Sequence, residues 1–214
     1  MLWGGHSGGL EIRKRASGAL ALRGRFPYNK AAVLSDGGRT GRPRKEVMAS
    51  RAFSYRVELP EEEIHLLVGH DYGQPLASKA AGTLRLKDSD DALTFDADIT
   101  TEMQQVSWVR DFLAALGAGL IAGISPGFRV PPERTVPDAE KVEEEDPALG
   151  TALIRTIYAA LLYELSVVTR PAYPETQIEA RNWQPTAGGL LVPETHQDRQ
   201  PYRGAVHPLN RWRL

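Results

Sequence analysis

Several stretches of the chain alternate apolar and polar side chains at period two, and each predicts a half-buried β-strand. "ALALRGRF" (19–26) and "AAVL" (31–34) do so on either side of a turn, and Ser-Asp-Gly-Gly ends the second. "GTLRL" (82–86) and "ALTFDADI" (92–99) alternate again, so "KDSDD" between them predicts a hairpin. "EIHLLV" (63–68) predicts a strand that runs into a Gly/Pro loop through "GHDYGQP". "RPRKEVMASRAFSYRV" (42–57) predicts a short helix passing into a strand. Over residues 100–119 the period becomes helical. Met103, Val106, Val109, Phe112, Leu113 and Leu116 share one face. Thr100 or Thr101 suits the start of that helix, and Gly117 or Gly119 its end.

The run "LIAGISPGFRV" (120–130) then predicts a buried strand carrying Ser125. Residues 131–150 are Pro-rich and acidic with no apolar period, so an exposed acidic loop is expected there. "ALIRTIYAALLYELSVVTRPAYPET" (152–176) returns to apolar, β-rich sequence and is cut off by Pro171 and Pro174. Within it, "YAALLYEL" fits a helix as well as a strand. These elements predict a mobile N-terminal extension over 1–17, one folded domain over 18–180 and a flexible C-terminal tail over 181–214. The expected class is α+β: mostly antiparallel strands, one amphipathic helix, and enough strands for a small closed or nearly closed barrel.

Composition narrows the function classes. With 214 residues, 42% hydrophobic and 25% charged, the chain reads as a soluble domain with a real core. Its longest apolar run, 112–124, is short for a bilayer and is interrupted by Gly117, Gly119 and Gly123. The start lacks the pattern of a secretory signal. There is no cysteine, which excludes disulfides, thiolate catalysis and Cys-ligated zinc. The net charge of −1 conceals an asymmetry. Residues 1–56 carry 12 Lys or Arg against 3 Asp or Glu; the remainder carries 14 against 24. A basic N-terminal part can meet an acidic partner. It has no regular basic helix and no interleaved aromatics, so nucleic acid is not the expected partner.

Metal and phosphate chemistry find little support. His65 and His70 stand five apart in "HLLVGHD", which misses the helical zinc-protease spacing. "EEED" (143–146) lacks the pattern of a calcium loop and reads as a solvated charge run. No phosphate-binding glycine loop is present, and no cofactor is expected. Nucleophilic catalysis fits better. A serine hydroxyl needs a base within reach and a third group to orient that base. Ser125 and His70 both fall at strand ends. Glu164 lies inside the apolar "LLYELSVV", where an unpaired carboxylate is costly if buried. It either faces solvent or has a partner such as a histidine. Asp71, beside His70, is the alternative third member.

Taken together, these blocks resemble the phage prohead proteases, serine proteases that mature tailed-phage capsids. "LLVGHDYGQPLASKAAGTLRL" is similar to the family's histidine block, and "GISPGFRV" to its serine block. "IRTIYAALLYELSVVTRPAYPET" resembles its closing block, and the similarity extends loosely back through "RGRFPYNKAAVLSDGGRTGRPRKEVMASRAF". The resemblance implies a fold like that of herpesvirus assemblin, a mostly antiparallel closed β-barrel with surrounding helices. It implies Ser125 as nucleophile, His70 as general base and Glu164 as orienting acid. Pro126 follows the serine and has no N–H, so the Gly127 backbone amide becomes the expected oxyanion donor. The implied substrates are phage scaffold and major capsid protein, cut in the host cytoplasm inside the procapsid, with self-cleavage and a homodimer as further expectations. The alternative is an inactive homologue serving as a capsid-assembly scaffold; an esterase is a weaker third, since no G-x-S-x-G elbow is present.

Overall fold

A computed structural model describes residues 4–6, 10–121, 123–169, 171, 183–185 and 191–193. In chain order the first strands are β1 (Gly4–His6), β2 (Leu10–Lys14), β3 (Leu20–Pro27), β4 (Ala31–Ser35) and β5 (Arg44–Met48). The short helix α1 (Ser54–Glu58) leads to β6 (His65–Val68), β7 (Asp71–Ser78), β8 (Leu84–Asp88) and β9 (Ala92–Ile99). A 3-10 turn (Met103–Gln105) opens α2 (Ser107–Gly117). Then come β10 (Gly123–Arg129), β11 (Glu140–Glu144), β12 (Leu153–Ile157), β13 (Leu161–Val168), β14 (Trp183–Pro185) and β15 (Leu191–Pro193).

These strands form three open sheets and a separate two-stranded ladder, β14–β15. The first sheet, β1-β2-β3-β9-β8, is wholly antiparallel. The second runs β10-β13-β6-β7 and the third β11-β12-β5-β4. Each of these two joins a pair of antiparallel ladders through one central parallel pair, β13 with β6 or β12 with β5. The expected closed barrel with surrounding helices is therefore corrected: the chain is mostly β, and every sheet ends in unpaired edges among the described residues. Alternation reports which residues lie on a strand, not which edges meet. What closes this fold is side-chain packing. One continuous core draws on Leu22 and Phe26 of β3, Met48 of β5, Leu66 of β6, Phe95 of β9 and Leu165 of β13. At Gly24 two sheets come so close that an added Cβ would lie 2.6 Å from Ile124 Cδ1.

Local chemistry accounts for most of the elements. α2 buries Val109, Phe112 and Leu116 on one stripe, each contributing about 1.5–3 kcal/mol by leaving water. Thr100 Oγ1 accepts the Met103 N–H at the start of this segment. At its end Gly119 has φ +72°, and the Gly119 and Leu120 amides donate to the Leu116 and Ala115 carbonyls. That is a Schellman cap.

Three local expectations change, and one open assignment is decided. Residues 42–57 run strand then helix, the reverse of the expected order. "YAALLYEL" contributes to β13 and is not helical. Residues 10–14 add a strand to the first sheet. The acidic stretch holds β11 at its centre, with all five residues exposed. The expected tail, 181–214, lies outside the described residues apart from the β14–β15 ladder.

Candidate active site

The second sheet has one greasy and one polar face, and the polar face carries the candidate chemistry. Ile124, Leu165, Val167 and Leu66 enter the core. On the other face the register aligns Gly127, Glu164, His65 and Ser78 in one row across all four strands. The adjacent row sets Ser125 opposite Ser166. Directly opposed residues of antiparallel strands hold their side chains on the same face, Cβ atoms about 4.5–5.5 Å apart.

A bulge makes this alignment possible. β10 and β13 slip register after Gly127, leaving Tyr163 as the extra residue. Leu162 and Leu165 thus both reach the core although they are three apart, while Glu164 and Ser166 turn to the polar face. Without the slip, strict alternation would put Leu162 and Glu164 on the same side.

His70 stands on a two-residue hairpin. Val68 and Asp71 are paired across β6 and β7, and between them Gly69 has φ +61° and His70 φ +64°. Both values suit a type I′ turn, whose backbone twist matches that of the strands. For a histidine the left-handed region costs roughly 1–2 kcal/mol, a cost often found at functional sites. Three hydrogen bonds hold the turn to β13. The Gly69 amide donates to the Val167 carbonyl at 3.1 Å. The His70 amide donates to Ser166 Oγ at 2.9 Å. The imidazole Nδ1 lies 2.6 Å from Glu164 Oε1.

Glu164 is 4% exposed, and both its oxygens are used. Oε1 meets His70, and Oε2 accepts the Ser166 hydroxyl at 2.7 Å. An ionised Glu164 can only accept, so it calls for the proton on Nδ1, and in a neutral imidazole Nε2 is then the acceptor. Gly127 makes room for this carboxylate: a Cβ there would lie 2.7 Å from Glu164 Cδ. Ser125 is half-buried, and its hydroxyl has no hydrogen-bond partner among the described residues. Pro126, lacking an N–H, is tolerated because β10 is an edge strand. Asp71 is exposed and accepts the Gly73 amide at 2.7 Å, while the Nδ1 contact of His70 is with Glu164.

Other groups border the site. The His65 ring rests against Tyr72 with centroids 5.8 Å apart, and its Nδ1 is 3.7 Å from Glu63 Oε1. Burial pushes the Glu63 carboxyl up, but amides of Ala80 and Ile64 and the Ser78 hydroxyl outweigh it and hold it below the usual range. Tyr72 is pushed up by burial and by the Glu164 charge. The Arg56 guanidinium stacks on the Tyr163 ring at 4.2 Å.

Sequence reasoning did not single out Ser166. Its only signal was its place two residues after Glu164 on a strand, which puts both on one face. In the sequence His65 stands out only as a metal-ligand candidate. Among the described residues no three His, Asp or Glu side chains gather as a metal site, and no helix is long and apolar enough to cross a membrane.

Comparison with known proteins bears on the whole constellation. The family model of the caudovirus prohead serine protease matches residues 32–187, which span β4 to the β14 ladder and hold every residue of the site. No match is found among curated proteins or among solved structures.

Proposed function

The chain belongs to the caudovirus prohead serine protease family, and from that premise we propose that it is an endopeptidase acting through Ser125, His70 and Glu164. The observation that carries this reading is the 2.6 Å contact between Glu164 Oε1 and His70 Nδ1, on the face where Ser125 stands opposite Ser166. A buried carboxylate that orients an imidazole is two thirds of what acyl transfer requires, and Ser125 on the same sheet is the nucleophile we assign to it.

In this mechanism Ser125 Oγ attacks the peptide carbonyl while His70 Nε2 takes its proton. Glu164 stabilises the resulting imidazolium and keeps the ring in place. His70 then returns the proton to the departing amine, and an acyl-enzyme remains. Water, deprotonated by the same nitrogen, releases the acid and restores Ser125. The Gly127 amide, at the register slip where the ladder is interrupted, is the proposed oxyanion donor.

The substrates are scaffold and capsid-protein segments inside the procapsid, in the host cytoplasm, and the enzyme's own exposed segments. The exposed acidic strand β11 and its flanks offer such a segment. Co-expression with the scaffold and major capsid protein of the same phage, read by intact-mass spectrometry, tests this. Cleavage in the wild type and none with Ser125→Ala is the expected result. Equal processing in both samples would overturn it.

A further inference from the structure

The Ser166 hydroxyl touches both halves of the His70–Glu164 pair. It is completely buried. Its single proton goes to Glu164 Oε2, and its oxygen accepts the His70 backbone N–H. These directions are forced, because the carboxylate can only accept and the amide can only donate.

Two physical consequences follow. Glu164 has its second oxygen satisfied, so the carboxylate is fixed with Oε1 toward the imidazole. His70 is gripped at two points, its ring by Glu164 and its main chain by Ser166. The second grip falls on a residue whose left-handed backbone, φ +64°, is unfavourable for histidine. A left-handed turn free to relax would swing the imidazole off the carboxylate. Ser166 also stands directly opposite Ser125 across the β10–β13 ladder. The group that holds the base therefore sits in register with the nucleophile.

We propose that Ser166 is a positioning residue for this site, locking the His70 imidazole in the Nδ1-protonated tautomer and aiming Nε2 toward Ser125. The proposal rests on the acyl-transfer reading above. Ser166 itself touches no substrate and transfers no proton.

The test compares wild type with Ser166→Ala, Ser166→Cys and Ser125→Ala, all full-length. Ser166→Cys keeps nearly the same volume but gives only a weak donor and acceptor, so it separates packing from hydrogen bonding. Two readings are taken. Nitrogen-15 correlation spectra report the His70 tautomer, and the rate of phosphonylation by a fluorophosphonate reports attack by Ser125. In both Ser166 variants the single Nδ1–H tautomer should give way to an averaged one. The labelling rate should fall about ten- to a hundred-fold, the size of loss that follows when the outer hydrogen-bond partner of a metal-bound histidine is removed. The Cys variant should melt close to wild type. Wild-type tautomer and labelling rate in a folded Ser166→Cys protein would overturn the proposal. If wild type itself is not labelled at Ser125, the acyl-transfer reading fails, and the tautomer comparison alone then decides the role of Ser166.

Discussion

The two four-stranded sheets share one wiring, yet they treat buried carboxylates in opposite ways. In both, two antiparallel ladders meet at a central parallel pair. In the sheet with the candidate site, that pair sets Glu164 beside His65. In the other it sets Arg155 beside Glu46, whose Oε2 accepts from the guanidinium at 3.1 Å. Glu145, just after β11, is likewise paired with Lys45 and accepts the Ala152 amide at 3.1 Å. A buried carboxylate also lies over a glycine in each region: Glu164 over Gly127, Glu145 over Gly150. The difference is the partner. Arginine and lysine hold their charge through the physiological range, so those pairs can only hold structure. Glu164 faces an imidazole, a group able to give and take a proton near neutral pH, and a hydroxyl that only holds it in place. The same backbone plan thus serves a fixed ion pair in one sheet and, in the other, a carboxylate–imidazole pair for which we propose proton transfer.

The largest effect should come from removing the reacting groups. Ser125→Ala or His70→Ala is expected to lower peptidase rate by about four to six orders of magnitude, with the fold retained by circular dichroism. Next comes the carboxylate contrast. Glu164→Gln keeps the shape but offers the imidazole a different partner, so the rate should fall about ten-thousand-fold. Glu46→Gln should leave the rate within a few-fold. It should cost about 1–2 kcal/mol, read as a melting temperature lower by roughly 2–8 °C.

The glycines extend the same contrast. Gly127→Ala must push the Glu164 carboxylate aside, and a shift of about an ångström can cost roughly a hundred-fold in rate. Gly150→Ala displaces Glu145 instead and should be visible only in thermal melts. If both glycine variants lost activity equally, the division between the sheets would be wrong.

The smallest effect is on acid stability. The Lys45 hydrogen bond, with the Ala152 amide, holds the Glu145 carboxyl below its ordinary 4.5. Burial pushes the Asp96 carboxyl up, but hydrogen bonds from Arg23 and Arg85 outweigh it and hold it below its ordinary 3.8. A lowered folded-state value means the stabilisation is complete above the unfolded carboxylate range. It disappears as pH falls through the lower folded value. Melting temperature should therefore drop from about pH 4 downward, and Glu145→Gln or Asp96→Asn should make that decline shallower.

Much of this molecule was legible in its sequence where one strand or one helix decided the pattern. The 82–86 and 92–99 hairpin, the apolar stripe of α2 and its glycine stop all follow from local periodicity. Glu164 within "LLYELSVV" stands out in the sequence, but the sequence alone favours a solvent-facing carboxylate over one with a histidine partner, and the structure shows the buried, paired one. Long-range geometry was not legible. Nothing local says that β3 and β4, adjacent in the chain, enter different sheets, or that β13 pairs in parallel with β6. The closed barrel rested on the number of strands and on the resemblance, and no alternation pattern tests whether the edges join. Ser166 was missed for a related reason. Its importance depends on a turn ninety-six residues away in sequence, brought to it by that parallel pair.

The most direct test of the central claim is to treat the full-length protein with a fluorophosphonate and map the adduct by peptide mass spectrometry. A single adduct on Ser125, absent from His70→Ala and strongly reduced in Glu164→Gln, is the predicted result. An adduct on another residue, or equal labelling of Ser125 when His70 is gone, would contradict the account.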